Sequence, residues 1–149
     1  MASRADPRQI AKLVKVQHAR RAAAEAALAA ARDAEMQARA REEAALDDVS
    51  VAQDDWLGFL ELPGFAPDYA RALAARLLAR EAVAGEAREE CRAADSAHLR
   101  CQEAWRLSEA YVKLTEASLA RARRDAGRGR EEKRLGDLSD RITYAWMRP

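Results

Sequence analysis

Apolar positions recur at alternating spacings of four and three residues along most of this chain, the signature of a helix that buries one stripe. In the second half the series is Leu73, Leu77, Arg80, Ala84, Ala87, Cys91, Ala94, His98, Cys101, Trp105, Ser108, Val112, Thr115, Leu119 and Ala122. In the first half it is Ile10, Val14, Gln17, Arg21, Ala24, Leu28, Ala31, Glu35, Ala38, Glu42, Ala45, Val49, Ala52 and Trp56. The residues between are mostly Ala, Glu, Arg and Leu, which lose little freedom in a helix. Only the stretch from Trp56 to Pro67 interrupts the pattern between Pro7 and Gly127.

Helix ends can be placed from local chemistry. Asp6 before Pro7 is a start signal, because Asp accepts hydrogen bonds from free backbone amides and Pro suits the first turn. Ala66-Pro67-Asp68 is a second start. These limits predict an all-α fold, a long antiparallel two-helix coiled-coil hairpin occupying the chain as one domain. Helix one spans about 7–55, a hinge 56–67 and helix two about 68–126. Gly127 and Gly129 frame a breaker, and 127–149 is a flexible or short-helical tail in which Glu131 to Ile142 places Leu135, Leu138 and Ile142 on one side. Folding about a midpoint near Leu62 sets residue i beside residue 124 minus i. Trp105 then lies near Ala19 and Arg20, and His98 faces Ala26 and Ala27.

Composition fits this picture. Charged residues make up 34%, aromatics 5%, and Ala supplies much of the 49% that is hydrophobic, so each helix has a stripe to bury and no thick core. The centre of the helix-one stripe is nearly all Ala, whose burial contributes far less than the ~1.5–3 kcal/mol of a buried Leu, and the middle of the hairpin is expected to be its softest part. Apolar runs such as Ala26 to Ala31 are too short to span a bilayer. The first residues lack the apolar core of a secretory signal, which predicts a cytoplasmic location.

Cys91 and Cys101 lie ten positions apart on one helix, about 15 Å, too far to pair within one chain. They read as small buried hydrophobes of a reducing compartment, with a bridge between chains as the alternative. His98 reads as a packed seam histidine. With Cys101 at i, i+3 it forms at most half a metal site, and no further ligand spacing accompanies it, so neither metal nor cofactor is expected. No phosphate-cradling Gly loop, nucleophile-base set or Glu-x-x-His repeat is present, which argues against an enzyme or a small-molecule substrate.

Charge adds a second signal. Residues 1–21 carry Arg4, Arg8, Lys12, Lys15, Arg20 and Arg21 against the single acid Asp6. Residues 113–134 carry eight cations, among them Arg121, Arg123 and Arg124, against four acids, and the span 22–112 has ten cations against eighteen acids. A hairpin brings both basic segments to its open end, while i, i+4 pairing on a solvated surface accounts for most other charges. Nucleic acid could attract such cations, but the net charge of +1 and the absence of a binding motif argue against it. An acidic protein partner fits better. Trp56, Leu57, Phe59, Leu60 and Phe65 form a second candidate surface at the hinge. They either cap the last turns or face a partner. The tail segment Tyr144-Ala145-Trp146-Met147 is a smaller one.

Two segments carry a family resemblance. Arg8-Gln-Ile-Ala-Lys-Leu-Val-Lys-Val-Gln-His-Ala-Arg-Arg, running on into Ala-Glu-Ala-Ala-Leu-Ala-Ala-Ala-Arg32, resembles the opening of the FliJ family of flagellar export proteins and their YscO-type relatives in type III secretion. Leu119-Ala-Arg-Ala-Arg-Arg, with Arg130-Glu-Glu-Lys-Arg-Leu-Gly-Asp-Leu-Ser-Asp-Arg141, resembles the family's closing segment. The resemblance covers essentially the whole chain through degenerate patterns of Leu, Arg and Glu. It implies a non-catalytic central stalk whose open end inserts into a hexameric export ATPase, with contacts to the export gate protein and substrate chaperones. Such a stalk associates peripherally with a membrane-embedded apparatus at the inner face of the cell membrane. The positions matching the basic pattern are Arg8, Lys12, Lys15, Arg20, Arg21, Arg121, Arg123 and Arg124. The aromatic, Pro-containing hinge and the heavy use of Ala depart from the family and leave the gate-binding residues unassigned. A generic cytoplasmic coiled-coil scaffold and a nucleic-acid-binding hairpin are the alternatives.

Overall fold

The computed structural model describes residues 6–147; Arg4 and residues 148–149 of the tail lie outside them. The fold is all-α: two long helices, α1 (Pro7–Leu60) and α2 (Pro67–Trp146), pack against each other antiparallel. Asp6 caps α1 as its sequence suggests. Its Oδ1 accepts a hydrogen bond from the Arg8 amide at 2.9 Å, and its carbonyl accepts from Gln9 and Ile10. At the other end the Glu61 and Leu62 amides donate to the carbonyls of Gly58 and Phe59, a tightened last turn. The chain then reverses through Pro63-Gly64, with Gly64 at φ 102°, a left-handed conformation that side chains resist. The Ala66 carbonyl accepts from Ala70 to open α2, with Pro67 in the first turn.

The helix limits differ from the expected ones at two places. Helix α1 passes through Trp56 to Leu60, so the connection is 61–66 rather than 56–67. The seam spacing explains this: Phe59 follows Trp56 by three and continues the buried stripe. Helix α2 does not stop near Ala126, and there is neither a break nor a separate tail helix after it. It runs through Gly127 and Gly129 to Trp146. Each Gly costs roughly 1 kcal/mol against Ala in a helix, and the surrounding Arg, Glu, Lys and Leu outweigh that. Gly85 is likewise accommodated within the helix, with open space around it.

The chain divides into two compact units. One comprises residues 25–104 and contains the reversal; the other comprises residues 1–24 and 105–149. In the first, Phe59, Ala70 and Leu73 form a buried cluster with Trp56 packed on it, and further along Ala45, Ala84 and Ala87 form a second with Val49. In the other, Gln17, Val112 and Thr115 are buried, and Ile10, Val14, Trp105, Leu119 and Ala122 are half-buried. Every stripe position read from the sequence is at least partly buried except Arg80. Arg80 reaches sideways to Asp48 at 2.9 Å. Seam hydroxyls are satisfied within their own helix, Ser108 donating to the Trp105 carbonyl and Thr115 to those of Tyr111 and Val112.

The register is displaced from the one a midpoint at Leu62 implies. That midpoint would set Glu35 opposite Glu89, whereas Glu35 meets His98. Ala26 and Ala27 are therefore not the neighbours of His98. In the unit holding the termini, His18 meets Glu116 at 2.9 Å, which also removes Trp105 from Ala19 and Arg20. Two causes are visible. The connection is centred beyond Leu62, and opposite charges flanking the seam select the pairing: Arg76 with Asp55, Arg80 with Asp48, Arg41 with Glu90 and Arg39 with Asp95. These pairs are solvated and each contributes at most about 1 kcal/mol, but a displaced register would set like charges together.

Candidate partner-binding surfaces

The cationic residues of the two basic segments come together in the unit holding the termini. Asp6, Pro7 and Ile10 from α1, with Ser118, Arg121, Ala122, Asp125 and Ala126 from α2, line an open groove of about 360 Å³. Arg8, Lys12, Lys15 and Arg20 on α1 and Arg121, Arg123 and Arg124 on α2 are exposed, and Arg21 is half-buried beside the seam. None of these eight has a carboxylate within 4 Å of its charged side-chain nitrogens among the described residues. The unit containing the reversal differs. There Arg39, Arg41, Arg76, Arg80 and Arg88 each meet an acid on the other helix. Cations without partners keep their full field, which favours association with an acidic surface.

The hinge candidates separate into two kinds. Phe59 is only 6% exposed, with its ring 5.3 Å from Tyr69 in an edge-on arrangement and 6.1 Å from Trp56, so it is core and not contact surface. Trp56 is half-buried against the same cluster. Leu57, Leu60 and Phe65 are exposed, Phe65 by 76%, and Leu62 joins them. A reversal between two helices has few residues with which to cover four large apolar groups.

The Ala-rich seam of the same unit holds a polar constellation. His98 Nδ1 contacts a carboxylate oxygen of Glu35, whose other oxygen accepts from Arg39 at 2.5 Å, and Arg39 also reaches Asp95 at 3.4 Å. The Arg39 guanidinium is held more firmly protonated, first by Glu35 and then by Asp95. His98 Nε2 is buried without a hydrogen-bond partner. Among the described residues no group of three or more His, Cys, Asp and Glu is gathered as a metal ion would need. One heptad of seam away, the buried Cys91 thiol is pushed above its ordinary range, first by the Glu42 carboxylate as hydrogen-bond acceptor and then by burial.

Two exposed apolar regions received little weight in the sequence. Leu13 and Val16 on α1 and Leu107, Tyr111 and Leu114 on α2 are exposed in the unit holding the termini. Their spacings of three and four were the available signal, masked by the stronger stripe beside them. In the same unit Leu135, Leu138, Ile142, Trp146 and Met147 are exposed on the part of α2 beyond Ala126, where residues 130–147 are all exposed. No helix among the described residues is long and apolar enough to cross a membrane. No protein-family model, curated protein or solved structure matches this chain.

Proposed function

We propose that this chain is a non-catalytic stalk or adaptor of a flagellar or type III protein export apparatus, docking its cationic terminal region into a hexameric export ATPase. The observation that carries the reading is the gathering of Arg8, Lys12, Lys15, Arg20, Arg21, Arg121, Arg123 and Arg124 in one unit with no carboxylate within 4 Å of their charged groups among the described residues, while Arg39, Arg41, Arg76, Arg80 and Arg88 of the other unit pair across the helices. Unpaired cations on a helical pair suit insertion into an acidic ring, because complementary charge steers the encounter and fixes orientation. The resemblance of both basic segments to FliJ and YscO proteins names the ring as the ATPase. On this reading the protein works in the cytoplasm at the inner face of the membrane and also contacts the export gate and substrate chaperones.

The test is a pull-down and hydrolysis assay with the hexameric export ATPase encoded nearest to this chain. The native protein should bind it and stimulate hydrolysis or hexamer formation. Reversing Arg8, Lys12, Arg121 and Arg124 to Glu should remove both effects while the helical circular dichroism stays the same, since all four side chains are exposed. Stimulation that survives the four reversals would exclude this surface as the contact. Binding to DNA or RNA that collapses with salt, without any ATPase effect, would favour the nucleic-acid alternative.

A further inference from the structure

Helix α1 begins at Pro7, beside Asp125 and Ala126, but α2 continues to Trp146. Leu135, Leu138, Ile142 and Trp146 follow one another at spacings of three, four and four and therefore share one face of α2. They are 66, 54, 58 and 86% exposed, and no residue of α1 covers them. A helix of this length with an uncovered Leu, Ile and Trp stripe is at most marginal alone in water.

The two edges of this stripe differ in charge. Arg130, Arg134 and Arg141 follow at four and seven along one edge, with Asp137 behind the last two and Glu131 at the head of the stripe. Arg134 and Arg141 line a shallow cleft with Leu138 and Asp137, which places both guanidinium-bearing side chains directly beside the apolar row. Among the described residues no carboxylate lies within 4 Å of either arginine. The other edge is Glu132, Ser139 and Thr143, with Thr143 turned back to the Ser139 carbonyl. A second copy is a poor occupant. Antiparallel pairing that packs Leu135 of one chain on Leu138 of the other brings Arg134 against Arg141, and parallel pairing sets Arg134 opposite Ser139 with no compensating charge.

We propose that the Leu135–Leu138–Ile142–Trp146 face docks an amphipathic helix of another protein whose apolar stripe is bordered by Glu or Asp facing Arg130, Arg134 and Arg141. The bound helix spans three turns or more, since the stripe extends for about 16 Å at the ordinary rise. Apolar burial supplies the attraction, and the arginine edge selects acidic over basic helices and fixes the orientation. This inference stands apart from the export reading and survives its failure.

The test uses the full chain and two labelled peptides of about three heptads, identical in their Leu stripe but carrying either Glu or Lys along one edge. Fluorescence anisotropy should show the Glu peptide binding at least tenfold tighter than the Lys peptide. R134E/R141E should invert that preference, and L138S/I142S should abolish binding of both with helical circular dichroism unchanged. K12E/R124E should leave Glu-peptide binding intact. The proposal is overturned if the two peptides bind alike, if neither binds, or if R134E/R141E keeps the preference for Glu. Loss of binding in K12E/R124E would place the contact on the other cations and equally overturn it. So would a wild-type dimer in sedimentation that L138S/I142S dissociates, or capture by phosphatidylserine vesicles without peptide binding.

Discussion

Among single residues, the two cysteines show how far neighbours decide chemistry that the side chain alone does not. Both are thiols on seam positions of one helix, yet Cys91 is buried with its thiol facing the Glu42 carboxylate while Cys101 is partly exposed. A carboxylate acceptor and loss of water both disfavour the thiolate. In the folded chain, Cys91 should therefore react with iodoacetamide at pH 8 at least tenfold more slowly than Cys101, a difference that mass spectrometry of the modified peptides reads directly and that urea should erase. The sign of the linked stability follows. A thiol whose folded pKa is raised stabilises the fold below its ordinary pKa, and that contribution is lost as the pH climbs through the raised value. Comparable labelling of both cysteines in the native protein would show that the Glu42 contact does not persist in solution. The spacing of Cys91 placed it on the seam, but its acceptor came from the other helix and depended on a register the sequence did not yield.

At the scale of elements, the extent of α1 matters most. Its last turn buries Phe59 against Ala70 and Leu73 and leaves Leu57 in solvent, although both belong to the same apolar-rich stretch. Phe59→Ala should cost about 3 kcal/mol in urea unfolding, the value for a large aromatic removed from a small cluster. Leu57→Ala should stay within about 0.5 kcal/mol, as exposed substitutions do. Equal losses at the two positions would mean that the turn packs differently. Reading the stretch as a hinge gave too much weight to its apolar content and too little to its phase, for Phe59 stands three residues past Trp56 in the seam series. Gly127 and Gly129 likewise do not end α2, because the strong helix formers around them carry it onward.

For the molecule as a whole, burial and charge are distributed unequally along the chain. Residues 130–147 of α2 are exposed throughout, so they contribute surface and little packing. A chain ending at Arg130 should keep the thermal midpoint of the full protein and lose only helical signal in proportion to its length. A large drop in midpoint would reveal packing of that segment against the rest. The stripe positions, the helix starts at Asp6 and Pro67, and the all-α class were settled by the sequence alone, because capping and a repeat of three and four depend on residues near one another in the chain. The gathering of the two basic segments followed from the reversal. The tertiary structure alone decided which residues meet. The pairing of Glu35 with His98, of His18 with Glu116, and the uncovered face from Leu135 to Trp146 all depend on the register of one helix along the other. A seam of mostly small Ala side chains accommodates several registers at similar cost, so the choice rests on cross-helix charge pairs and the length of the connection, which no pattern within one helix contains.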